Sequence, residues 1–220
     1  KVPLPQFRIA LDVLVDMILE PIFDPDEIEK ERAVILEELA MTYDVPSYRA
    51  DLLIDEVMWP EQPLGRDVGG TRDSVSSINR DMLIAYKENH YVASNIVVSI
   101  AGNIDHDEVV DAVKLLFKGK LSVGHPTQMI KVQDTQTRTS MKLETRKSEQ
   151  ANICIGFKGV SATHHDRYPL DLLSAVLGDG MSSRLFLELR EEQGLVYDVH
   201  TTSSHLKDCG SFITYAGVEP

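Results

Sequence analysis

The sequence predicts an α+β fold, because the first half reads as a run of helices and the second as strand, strand, helix, helix, strand, strand. Two further observations support it. Hydrophobic residues make up 43% of 220, ample for a real core, and neither a short repeat nor a low-complexity block interrupts the pattern. The order of the second half points to an antiparallel or mixed sheet with helices on one face.

The elements follow in order. Ile9, Leu11, Val13, Leu14, Met17 and Ile18 recur at near-helical spacing until Pro21 stops the run, so a helix is expected over 7–20. Asp24 is a candidate N-cap, with Pro25 at the first helical position and Glu27 at the third, for a helix to about Tyr43. A third helix follows Pro46 and ends before Pro60, with Trp59 as a core residue at its end. "PEQPLGRDVGGTRDS" is a Gly/Pro loop, "INRDMLIAYKENHY" a helix, "NIVVSIAGN" a buried strand and "DHDEVVDAVKLLF" an amphipathic helix with an acidic cap. Residues 118–137 lose all periodicity and read as a linker. Beyond it come strands "RTSMKLETR" and "QANICIGFKG", helices "RYPLDLLSAVLG" and "RLFLELREEQG", and strands "LVYDVHTTSSH" and "CGSFITYAGV". The chain opens at the foot of a helix and stops directly after a strand, so each half is expected to be incomplete.

Thirty-five acidic residues against 22 basic give a net charge of −13 spread along the chain. Nucleic acid is an unsuitable partner, since phosphate binding needs a basic surface. No run reaches the roughly 18 apolar residues of a membrane span, and the N-terminal stretch is amphipathic rather than a signal peptide. Cys154 and Cys209 have neither CxxC nor clustered spacing and read as small buried thiols.

The helix over 24–43 carries five glutamates, Glu27, Glu29, Glu31, Glu37 and Glu38. Spacings of 4 and 7 put Glu27, Glu31 and Glu38 on one stripe together with Val34 and Ile35, a face expected to be partly covered. The helix dipole accounts for acids in the first turn but not for Glu38, three turns in. Geometry alone leaves Glu38 open between a solvated or salt-bridged acid and a metal ligand or catalytic acid.

These residues carry a pattern that resembles the pitrilysin/insulinase family of zinc metallopeptidases, including its mitochondrial processing peptidase branch. The resemblance rests on "ERAVILEE", "QPLGRDVGGT", "NRDMLIAYKENHYVASNIVVSIAGN" and, most specifically, "GMSSRLFLELREEQGLVY". It implies two similar α+β domains closing like a clamshell over a peptide. Residues 1–117 would be the later part of the first domain, 118–137 the linker and 138–220 the opening part of the second.

By the same resemblance Glu38 stands as a zinc ligand and Glu31 as the acid that helps to orient the site. Arg190 and Tyr197, seven apart, stand as a catalytic pair reaching the substrate, where their donors stabilise the developing oxyanion. The zinc-bound water would be the nucleophile and the family's glutamate the general base. One departure is decisive. The inverted motif His-x-x-Glu-His, which supplies two zinc ligands and that base, occurs nowhere among the seven histidines His90, His106, His125, His164, His165, His200 and His205. The family places it before the Glu38 helix, so the chain alone is expected to bind zinc poorly and to be inactive.

The function so implied is that of part of a zinc-dependent endopeptidase acting on peptides or unfolded polypeptides in a closed chamber. The alternative is a non-catalytic relative serving as a scaffold or peptide-binding half. No membrane partner is expected, a homodimer is left open, and the composition suits a bacterial cytoplasm. "GDGMSS" reads as a plain turn with a Ser182 or Ser183 cap. "HHD" at 164–166 reads as a loop leading into a helix, because adjacent side chains diverge on regular elements. His200 and His205 read as surface residues of a hairpin.

Overall fold

The structure is a computed structural model and describes residues 1–122, 124, 128–134 and 136–220. Val123, His125, Pro126, Thr127 and Thr135, all within the expected linker, lie outside the described residues. The chain divides into two compact units, residues 1–34 with 73–129 and residues 35–72 with 130–220.

In the first unit, helix α1 (Phe7–Leu19) packs its apolar stripe on helix α6 (His106–Phe117). Leu11, Val15 and Ala112 are the buried centre, bordered by Phe7, Leu19, Val113, Leu116 and Phe117. Helix α2 (Pro25–Tyr43) begins in this unit, and its start is fixed as the sequence implied. The Asp24 carboxylate accepts from the backbone N–H groups of Asp26 (2.9 Å) and Glu27 (3.3 Å), satisfying two donors the helix leaves open. Asp105 does the same for α6, accepting from Asp107 and Glu108. Helices α4 (Arg72–Ser77) and α5 (Arg80–His90) follow, the latter capped by Asn79 through Met82 N–H at 3.0 Å.

"NIVVSIAGN" is not a strand. Residues 96–100 make no ladder, and Val97 is almost fully exposed. Apolar, β-branched sequence favours an extended backbone, but a strand needs a neighbour to take its N–H and C=O groups, and no described segment supplies one here.

The second unit is built on a three-stranded antiparallel sheet of β1 (Ala151–Lys158), β2 (Val196–His205) and β3 (Gly210–Val218), in the order β1-β3-β2. Register pairs Cys154 with Tyr215 and His200 with Tyr215, so these three side chains share one face. Helix α3 (Pro46–Met58) lies on that face, close enough that a Cβ on Gly156 would stand 2.6 Å from Met58 Sδ and 3.0 Å from Ile54 Cγ1. Helix α7 (Arg167–Gly178) covers the opposite face. A Cβ on Gly178 would lie 2.5 Å from Thr201 N, and the Thr201 hydroxyl donates to the Ser174 carbonyl at 2.7 Å. The sheet is thus covered on both sides, by a helix from before the linker and one from after it.

"RTSMKLETR" also forms no strand. Residues 138–146 have no ladder, and side chains tether them to the α3 region instead: Arg49 Nε donates to Glu144 at 2.7 Å, Arg146 bonds the Tyr43 carbonyl, and Lys142 pairs with Glu56. Trp59 is buried at the end of α3, as expected of it. Cys154 and Cys209 are half-buried rather than buried. Among the described residues no helix is long and apolar enough to cross a membrane.

Candidate active site

The acid stripe on α2 exists, but it is the uncovered one. Leu39 is buried, and Ile28, Arg32, Ile35, Leu36 and Tyr43 beside it are half-buried; Glu27, Glu31, Val34, Glu38 and Met41 are exposed. The expectation that Glu31 and Glu38 face inward is therefore corrected. The larger apolar side chains lie on the Ile28–Leu36–Leu39 stripe, burial follows them, and the acids are turned outward. Arg32 anchors the covered side by donating to the Val75 and Ile78 carbonyls while its guanidinium grips Glu29 at 3.0 Å. That hydrogen bond holds the Glu29 carboxyl below its ordinary range. Glu27 pairs with Lys30. The Glu31 and Glu38 carboxylates make no hydrogen bond or ion pair with any described residue, so their oxygens are free to accept a ligand.

Arg190 and Tyr197 occupy two local irregularities. Residues Phe186–Glu192 form a π-helix, and the Arg190 guanidinium lies 4.8 Å from the centre of the Phe186 ring. The turn after it reverses through Gly194, whose φ of 63° suits glycine, and Leu195 N–H returns to the Leu189 carbonyl at 2.8 Å. Tyr197 sits where the β2–β3 register slips between Val196 and Asp198, the extra residue of a β-bulge. Both side chains are exposed and no hydrogen bond joins them. A π-turn and a bulge each insert one residue and re-aim the side chains around it, and both concentrate at functional sites. Neither irregularity is written in the spacing of the sequence. Neither Ser182 nor Ser183 caps the helix that follows: Ser183 is buried and its hydroxyl has no partner among the described residues.

Sequence reasoning missed a cluster between α3 and the sheet. Asp51 and Asp55, one helical turn apart, face β1, with Cys154 Sγ 3.8 Å from Asp51 Oδ1. Loss of water, reinforced by the Asp51 charge, pushes the Asp55 carboxyl up to about 6. Burial and the two acids push the Cys154 thiol up to about 12, so it is inert as a nucleophile. The i, i+4 acids inside "ADLLIDEVMW" were the available signal.

His200 stacks on Tyr215 at 4.9 Å, with its Nδ1 3.4 Å from Asp198. His205 is not a free surface residue: its ring bonds the Val160 carbonyl at 2.7 Å and Asp171 at 3.0 Å. The carbonyl first and the carboxylate second raise its pKa. Among the described residues one group of three metal-capable donors converges, His164, His165 and Asp166, and Glu38 is not in it.

Comparison with known proteins adds the following. The family described as "Insulinase (Peptidase family M16)" matches residues 1–72, and that described as "Peptidase M16 inactive domain" matches residues 77–220. An uncharacterized zinc protease of Streptomyces coelicolor is 36% identical over 217 residues, covering 96% of this chain and 47% of the relative. One from Bacillus subtilis is 36% identical over 208 residues, covering 94% of this chain and 50% of the relative. The chain thus spans about half the length of the curated relatives it matches. Among solved structures, a protease from Helicobacter pylori superposes with a TM-score of 0.88 at 21% identity, covering 100% of this chain and 54% of that one. A peptidase M16 inactive domain from Pseudomonas fluorescens gives 0.87 at 20% identity, covering 98% and 52%. These two likenesses bear on the fold alone.

Proposed function

Because this chain belongs to the insulinase (peptidase M16) family, we propose that it is part of a zinc-dependent endopeptidase that hydrolyses peptides or unfolded polypeptides in a closed chamber. In this reading residues 1–117 belong to the zinc-site domain, 118–137 to a linker and 138–220 to the second domain. The observation that carries it is the pair of unpartnered, outward carboxylates on α2, Glu38 and Glu31. An acid three turns from the helix start, gaining nothing from the dipole and paired with nothing among the described residues, is open to a ligand brought to it.

The residues present do not fit zinc by themselves. A catalytic zinc takes three protein ligands and a water, and Glu38 offers one carboxylate with no histidine converging on it among the described residues. The chain's own residues therefore bind and position rather than activate water. Glu38 would contribute one ligand to a zinc whose remaining ligands come from other residues, and Glu31 would add negative field from the same helix. Arg190 and Tyr197 donate hydrogen bonds to the carbonyl oxygen of the peptide under attack, where charge develops.

A fluorogenic-peptide assay tests this. The 220-residue chain alone is expected to show no chelator-sensitive cleavage. The same chain preceded by a family segment bearing His-x-x-Glu-His is expected to show it and to lose it on Glu38→Gln. Chelator-sensitive cleavage by the short chain, or full activity in E38Q, would overturn the proposal.

One observation favours a second reading. The match over 77–220 is to a domain described as inactive, which fits a non-catalytic scaffold or peptide-binding half. The fused chain with intact Glu38 would then bind peptide without cutting it. In either reading the partner is a polypeptide, neither nucleic acid nor a membrane is required, and pairing into a homodimer is compatible. The bacterial cytoplasm is the proposed location.

A further inference from the structure

Alternation along β2 puts Thr201, Ser203 and His205 on one face of the strand, the face that meets α7. On α7, Asp171 lies nearly one turn before Ser174 and takes the last two of them. Ser203 Oγ donates to Asp171 Oδ1 at 2.5 Å, and His205 Nε2 stands 3.0 Å from the same oxygen. The other ring nitrogen of His205, Nδ1, stands 2.7 Å from the Val160 carbonyl, in the connection between β1 and α7. Backbone bonds join that connection to the β2–β3 hairpin as well: Gly159 N–H donates to the Gly210 carbonyl at 2.8 Å, and Ala162 N–H to the Leu206 carbonyl at 2.7 Å. The His205 ring is therefore where the connection, α7 and the hairpin meet, and only 14% of the side chain is exposed.

Both ring nitrogens face acceptors. A carbonyl oxygen has no proton to give, and a neutral imidazole has one N–H, enough for one of the two partners. Asp171 is an acceptor too, because the Ser203 hydroxyl first and the His205 ring second hold its carboxyl below the ordinary range. We propose that His205 is held as a doubly protonated imidazolium that clamps the β1–α7 connection and α7 to the β2–β3 hairpin, and that loss of one of its protons at rising pH releases the connection. The charged groups acting on the ring are both on α7: Asp171 favours the imidazolium and Arg167 opposes it. Arg167 is engaged elsewhere, by the Ala162 carbonyl at 2.6 Å and the Tyr168 hydroxyl. The register partner on β3 is Gly210, which brings no side chain. The Val160 carbonyl and the Asp171 carboxylate prevail, and the pKa of His205 is raised above the ordinary 6.5. The clamp is thus fully present below 6.5 and is lost as pH rises through the raised folded value. The proton facing the Asp171 carboxylate is the harder to remove, so Nδ1 is the nitrogen that gives way. Its lone pair then opposes the Val160 oxygen, and the connection is the part that loosens.

The test uses the 220-residue chain, with imidazole nitrogen resonances followed by NMR against pH and exchange of the Ala162 amide measured over the same range, after correction for the base catalysis of exchange itself. Both His205 nitrogens are expected to carry protons at pH 6, with a midpoint above 6.5. Opening at Ala162 should rise through that midpoint, by about tenfold for each pH unit by which it is raised. Asp171→Asn, an exposed position that keeps an acceptor for Ser203, should lower the midpoint by roughly one pH unit or more and carry the exchange step down with it. His205→Gln should abolish the step. A ring with one proton at pH 6, a midpoint at or below 6.5, a midpoint unmoved in D171N, or the same exchange step in H205Q would each overturn the proposal.

Discussion

At the scale of the residue, the separation of the α2 glutamates depends on a few free or engaged oxygens. Glu27 and Glu29 are taken by Lys30 and Arg32, whereas Glu31 and Glu38 remain open. Arg190 and Tyr197 carry the prediction that belongs here. In a polypeptide with a complete zinc site, the role proposed for Tyr197 predicts that Tyr197→Phe lowers kcat about 10²–10³-fold with little change in KM, since one donor to a developing oxyanion would be lost while ground-state contacts stay. Steady-state kinetics check it, and a change confined to KM would make Tyr197 a substrate-binding residue instead. The flanking sequence singles out these positions, but it does not give their presentation. A register slip that turns Tyr197 outward is decided by how β2 pairs with β3, and no local propensity encodes it.

At the scale of the element, helices read well and isolated strands read poorly. Each helix satisfies its own hydrogen bonds within a few residues, so the Asp24 and Asp105 caps and the expected 167–178 helix could be placed from spacing alone. "NIVVSIAGN" and "RTSMKLETR" have strand composition but no ladder, since a strand's bonds are made by another segment. The α3–sheet contact supplies a pH prediction. The folded-state pKa of Asp55 is raised to about 6 from the ordinary aspartate value of 3.8. The folded chain therefore binds the extra proton, and stability is highest below the unfolded value and is lost as pH rises through about 6. Asp55→Asn should stabilise the chain at pH 8 by about 1–2 kcal/mol, a figure reduced for partial exposure, and change little at pH 4. Chemical denaturation at the two pH values checks both size and sign; an equal effect at both would remove the carboxylate charge as the cause.

At the scale of the whole molecule, two units of different character share one chain. The second has a sheet with a helix on each face, and the first is helical with an extended apolar segment at 96–100. Hydrogen exchange should therefore be uneven. Amides of β3, flanked on both sides by strands, should be the most protected, and those of 96–100 and 139–146 should exchange with little protection. Mass spectrometry of the exchanged chain resolves these segments, and protection of 96–100 comparable to β3 would mean that it is paired in solution.

By itself the sequence determined the long helices, the Asp24 and Asp105 caps, the α+β class, the acidic character and the family pattern, all of which rest on local hydrogen bonding, composition or residue order. The tertiary structure alone decided which stripe of α2 is covered, which extended segments become strands, and that three adjacent residues at 164–166 converge. The physical reason is the same in each case. Burial, strand pairing and the direction of a side chain in an irregular turn depend on groups far away in the chain, so they are settled only when those groups have been brought together.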